Sequence, residues 1–171
     1  MRPKDRKPTR LKSYDYTQDG YYYVTLCTQD RVEWFGMIED GKMILNGYGK
    51  IVSICWNDLP NHYANVKLDE YIIMPNHFHG IITIVGAGSP RPAPVTGAET
   101  APLRTLGQVV AYFKYQSTKQ MNVLRRTPGL QIWQRNYYER VIRDKTELHN
   151  ARQYIQNNPS QWATDPENLA F

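Results

Sequence analysis

The sequence predicts an α+β protein built on a ferredoxin-like, RRM-like βαββαβ core, with an antiparallel sheet and one added C-terminal helix. Three observations predict it. Aromatic and β-branched runs at 21–28, 68–74 and 78–85 have strand character. Two stretches between them repeat apolar residues every three or four positions, the spacing of amphipathic helices. An extended aromatic segment near 131–142 then leads into a helix start at Asp144.

The elements follow in order. Residues 1–20 read as a basic arm ending in a polar turn, and Tyr21-Tyr22-Tyr23-Val24-Thr25-Leu26-Cys27-Thr28 is the first strand. Trp34 to Ile38 and Lys42 to Leu45 flank Asp40-Gly41, a dipeptide that favours tight hairpins. Ile51, Ile54, Cys55, Leu59 and His62 or Tyr63 mark one face of a helix from Tyr48 to about Tyr63, with Pro60 near its end. The second core strand is 68–74, and Pro75-Asn76 breaks the chain before the third. Residues 86–103 are rich in Gly, Ala and Pro without periodicity, which fits a mobile surface loop. Leu106, Val109, Val110, Phe113, Ser117, Met121 and Leu124 define a second long helix, ended by Thr127-Pro128-Gly129. The last helix has Asp144 as cap and Glu147 three positions on, and stops before Pro159.

Composition bounds the function. The 171 residues suit one domain with a real core, and 41% hydrophobic residues make it globular. No apolar run approaches the ~20 residues of a membrane span, and the charged N-terminus is not a signal peptide, so no membrane partner and a cytoplasmic, nucleoid-associated location are expected. Cys27 and Cys55 have no metal-type spacing and read as two buried free thiols. The formal net charge of +5 gathers at Arg2, Lys4, Arg6, Lys7, Arg10 and Lys12, and again at Arg125, Arg126, Arg135, Arg140 and Arg143. Thirteen tyrosines accompany these charges, and cations with flat rings are what phosphates and unpaired bases require.

The chemistry concentrates at Met74-Pro75-Asn76-His77-Phe78-His79-Gly80. On a strand His77 and His79 share a face while Phe78 points the other way. Two imidazoles without cysteines do not make a closed zinc site; they suit an open site finished by oxygen ligands, with magnesium or manganese as the ion. Tyr154 and Asn158, four apart, project from one helix face that Glu147 and Ala151 continue. By pattern alone, the favoured account is that Tyr154 anchors the helix in the core and Asn158 caps its end before Pro159. His62 and His149 read as surface or packing histidines.

His77-Phe78-His79 resembles the His-hydrophobic-His signature of HUH single-strand nucleases. Five ordered blocks resemble their single-tyrosine branch, and within it the REP-associated tyrosine transposases: Arg10 to Tyr16, Val24 to Thr28, Met74 to Gly80, Trp133 to Glu139, and Tyr154 to Pro159. The resemblance implies that His77, His79 and Asn158 hold Mg²⁺ or Mn²⁺, and that Tyr154 is the nucleophile. It further implies cleavage and rejoining of single-stranded DNA through a 5′-phosphotyrosine, on a REP-like palindromic hairpin with a flanking guide sequence. Lys12, Lys114, Arg135 and Arg140 are candidate DNA contacts, and Tyr137 and Tyr138 are rival nucleophiles for which a stacking or packing role is favoured. Relatives of this kind include homodimers that share active sites and monomers. The alternative is a non-catalytic ferredoxin-like module for single-stranded nucleic acid, which would bind without a divalent ion. A zinc enzyme for small substrates is disfavoured by the basic charge.

Overall fold

The structure is a computed structural model, and it describes residues 19–85, 104–165 and 167–168. Most of the basic arm, Lys12 included, and the loop at 86–103 lie outside the described residues. The core strands are β1 (Gly20–Cys27), β4 (Val66–Ile73), β5 (His77–Ile84) and β6 (Tyr138–Ile142); a separate hairpin pairs β2 (Gly36–Glu39) with β3 (Lys42–Leu45). The helices are α1 (Gly47–Asn57), α2 (Leu59–His62), α3 (Leu106–Arg125) and α4 (Lys145–Asn157). The sheet runs β4-β5-β1-β6 with every neighbour antiparallel, the ferredoxin-like order predicted.

Period two sorts the sheet into two faces. Tyr22, Val24 and Leu26 of β1 and Phe78, Ile82 and Ile84 of β5 enter the main core with Val52 and Trp56 of α1 and Phe113 of α3. The opposite face carries Tyr23, Ile81 and Ile142, against which α4 packs Leu148, Ala151 and Ile155. Gly80 sits under Trp56: an added Cβ would lie 2.6 Å from the indole. The glycine after His79 is thus a packing requirement of the neighbouring layer.

Local chemistry explains the element ends. Asp40 and Gly41 both take positive φ (48° and 69°), as the hairpin signal requires. Thr105 and Gln108 close a capping box on α3. Asp144 caps α4 by accepting from Glu147 N at 2.8 Å, while Glu147 reaches one residue past the cap, to Arg143 N at 2.9 Å.

Three expectations change. The helix predicted from Tyr48 to Tyr63 breaks at Asp58 into α1 and α2, because Pro60 fits only the first turn of a new helix. Only Tyr138–Ile142 of the predicted fourth strand is ladder; Trp133 makes an isolated bridge to Thr28 and turns into the core against Phe35 and Phe113. Both cysteines are free, but only Cys55 is buried; Cys27, on the α4 face of β1, is half-buried. Among the described residues no helix is long and apolar enough to cross a membrane.

Candidate active site

β5 delivers His77 and His79 to the α4 face of the sheet, both buried, with ring centroids 4.6 Å apart. Their orientation is fixed from behind. Asn76 Oδ1 can only accept, so at 2.9 Å it takes the proton of His77 Nδ1, and Asn76 Nδ2 donates onward to Glu167 O at 2.8 Å. His79 Nδ1 lies 2.7 Å from the Tyr23 hydroxyl and 2.8 Å from Thr25 Oγ1. With its Nδ1 donating to Asn76, His77 keeps a bare lone pair on Nε2, the arrangement metal-ligating histidines use, while the two hydroxyls at His79 Nδ1 orient that ring and serve either tautomer.

α4 supplies the other wall. Its Leu148, Ala151 and Ile155 seat on the sheet, and the same winding brings the Tyr154 ring edge-on to His79, centroids 5.3 Å apart. Asn158 ends the helix fully inside, 1% exposed. Pro159 then directs a 3-10 turn, Asn158–Thr164, which folds the chain back over the histidines. Trp162 packs on His77 at 5.9 Å. Asp165 follows, its Oδ2 4.0 Å from His77 Nε2 and accepting from Asn158 Nδ2 at 3.1 Å.

Three buried atoms in this cluster have no hydrogen-bond partner among the described residues: His77 Nε2, His79 Nε2 and Asn158 Oδ1. Orphaned buried polar atoms are costly, about 1–3 kcal/mol each, and three of them beside one carboxylate form a cluster that could hold a cation. Ligand atoms of His77, His79 and Asp165 all lie within 4.8 Å of one another. The donor set of two imidazoles and carboxylate or amide oxygens therefore fits a divalent ion.

Electrostatics agree. Burial pushes His77 down to about 4, against the opposing pull of the Asp165 carboxylate, and burial next to His77 takes His79 well below its ordinary value. Both imidazoles are neutral at neutral pH, as ligation needs. Burial, then the charge of Asp165, raise the Tyr154 phenol, while the Asn158 side chain lowers it. The hydroxyl keeps its proton until something nearby accepts it.

A cavity of about 520 Å³ opens beside this cluster, between α4 and the β1–β6 face, lined among others by Tyr23, His79, Tyr138, Arg140, Tyr154 and Asp165. Arg140 is exposed and paired with Glu147 at 2.9 Å. Arg135 is exposed. Lys114 differs from the expectation of a DNA contact: its half-buried ammonium donates to the carbonyls of Gln134 and, at 3.0 Å, Arg135, so it holds the backbone before β6. Tyr137 packs on the main core, and Tyr138 lines the cavity.

Asp165 was not found by sequence reasoning. It lies in a polar tail without periodicity; the only hint was the Asn-Pro pair that turns the chain back. Tyr23 and Thr25 are more than strand formers, and their period-two alignment with the histidine face is the signal in the sequence.

A ferredoxin-like sheet with paired histidines on one face and a helix tyrosine set against them is the architecture of the HUH class that the sequence resembles. The chain is 36% identical over 173 residues to an uncharacterized protein of Haemophilus influenzae, covering 94% of this chain and 91% of that one. It is 26% identical over 145 residues to a second protein of that organism, described as "Putative REP-associated tyrosine transposase", covering 85% and 73%. The solved structure of a REP-associated tyrosine transposase bound to a REP hairpin shares the fold, with TM-score 0.59 and 17% identity over 90% of this chain and 74% of that one. No protein-family model matches the chain. The likeness in sequence to the protein described as a REP-associated tyrosine transposase and the shared fold with the solved one agree with the family that the sequence motifs resemble.

Proposed function

We propose that this protein is a metal-dependent single-strand DNA endonuclease and strand transferase acting on REP-like hairpin DNA. One observation carries the reading: three orphaned buried ligand atoms, on His77, His79 and Asn158, beside a half-exposed tyrosine. A structural tyrosine would not need bare imidazoles next to it.

In this reading Tyr154 Oη attacks the phosphorus of a phosphodiester in line. The P–O3′ bond breaks, the 5′ side remains as a phosphotyrosine, the phenol gives up its proton to water, and the leaving 3′ oxygen takes one up to become a hydroxyl. Bond energy is kept in the ester, so a later 3′-hydroxyl can reverse the step and join strands. His77, His79 and Asn158, with Asp165 as the added oxygen donor, would hold a Mg²⁺ or Mn²⁺ ion. Such an ion, when bound, neutralises charge on a non-bridging phosphate oxygen. Asn76 holds His77 in the ligating tautomer, and Tyr23 and Thr25 orient the His79 ring. Arg135 and Arg140 are exposed cations that would meet DNA phosphates. The binding-module alternative is weakened because α4 covers the sheet face that such a module would leave for bases.

Covalent trapping tests this. A labelled single-stranded hairpin with its flanks, incubated with protein and Mn²⁺, is expected to give a slow-migrating band on a denaturing gel that is lost in Tyr154→Phe and with EDTA. Tight binding that ignores EDTA, without any band, would replace the reading by the binding module. A band that survives in Tyr154→Phe would keep the enzyme and remove the nucleophile.

A further inference from the structure

The cavity extends well beyond the cation cluster. β6 pairs only with β1, so it forms the open edge of the sheet. On that edge Tyr138 and Arg140 share one face, opposite Thr25 and Tyr23 in register. The Tyr138 side chain is 53% exposed while lining the cavity, an unusual place for a large ring that packing does not hold. Across from it α4 presents Asn150, exposed and one turn before Tyr154. A volume of about 520 Å³ lies within the range of small-ligand sites and has room for one nucleotide beside the reacting phosphate.

The three side chains offer complementary chemistry. A phenol ring is a stacking platform for any base. Arg140 gives one donor to Glu147, and a guanidinium retains others for a phosphate oxygen. A primary amide can donate and accept at once, as reading a base edge requires. The Glu147 carboxylate, which would repel an anion, is engaged by Arg140 and by the Arg143 N–H.

We infer that this part of the cavity is a subsite for a single unpaired nucleotide next to the scissile phosphate, its base stacked on Tyr138, its phosphate on Arg140 and its base edge on Asn150. The inference rests on the proposed nuclease function and adds a means of choosing the cut position.

The test uses the full chain and a hairpin on which the covalent adduct forms. 2-Aminopurine is placed at each flanking position in turn and its fluorescence followed in EDTA, so that binding is read without cleavage. One position should be quenched on binding by wild type and by Tyr138→Phe. Tyr138→Ala should lose that quench and weaken binding about 5- to 150-fold, the range of one base stack. Asn150→Ala should keep the quench and lower the preference among the four bases at that position. Adduct formation with a quench unchanged in Tyr138→Ala would overturn the subsite alone. Absence of any adduct would overturn the function on which it rests.

Discussion

Asp69 of β4 and Arg152 of α4 form a two-pronged ion pair, Nε to Oδ1 at 2.9 Å and Nη2 to Oδ2 at 2.6 Å. Asp69 is available because the ladder slips between Leu68 and Tyr71, so that Asp69 and Glu70 together oppose Ile81. The bulge turns a carboxylate of the edge strand toward the helix that carries Tyr154.

This pair makes a prediction about the helix. Arg152→Ala should cost about 1 kcal/mol, since the guanidinium is largely exposed, yet reduce the adduct-forming rate more than the affinity for DNA. The Arg152 side chain holds the Asp69 carboxyl below the usual range. Its contribution is therefore present at neutral pH and lost as pH falls through the carboxylate's folded-state value. Urea melts of both proteins should draw together as pH falls below the ordinary carboxylate value.

The buried histidines set a second pH window. Folded His77 titrates at about 4 against an ordinary 6.5, and His79 is also depressed. Between those limits the unfolded chain binds more protons than the folded one, so metal-free protein should lose stability as pH drops from about 6.5 towards 4. The His77→Gln/His79→Gln double variant should show a flatter stability profile across that window in EDTA.

Cation binding should appear as heat resistance. Mn²⁺ at a hundredfold excess over its Kd should add about 2.7 kcal/mol, roughly 5–10 °C in Tm. Asp165→Asn should cut this shift, and the His77→Gln/His79→Gln variant should remove it. A full shift in the histidine variant would place the ion elsewhere.

Gly80→Ala tests the layer behind the site. Its Cβ would meet Trp56 at 2.6 Å and Phe78 at 2.8 Å, both rigid aromatic carbons. A loss of about 1–3 kcal/mol is expected in urea titration. A neutral result would mean that the Trp56 layer yields easily.

Lys114 and Arg140 should separate into structure and binding. Lys114→Met should lower stability by about 1–3 kcal/mol and leave the salt dependence of DNA affinity unchanged, because its ammonium faces backbone carbonyls. Arg140→Ala should leave Tm nearly unchanged and reduce the salt slope by about 1. Fluorescence anisotropy across a salt series reads both.

The sequence by itself determined what local geometry encodes. Period two put His77 and His79 on one face and Phe78 in the core, helical spacing put Tyr154 and Asn158 on one stripe, and Asp144 with Pro159 bounded the helix between them. Those constraints act over a few residues, so they are written in the chain as patterns. Only the tertiary structure decided what those patterns meet. Asp165 reaches His77 from 88 positions away, Asp69 finds Arg152 from 83 away, and Lys114 turns inward onto Gln134 and Arg135. Each of these partnerships depends on how separate elements pack, and packing is settled by burial across the whole core, which no local spacing records.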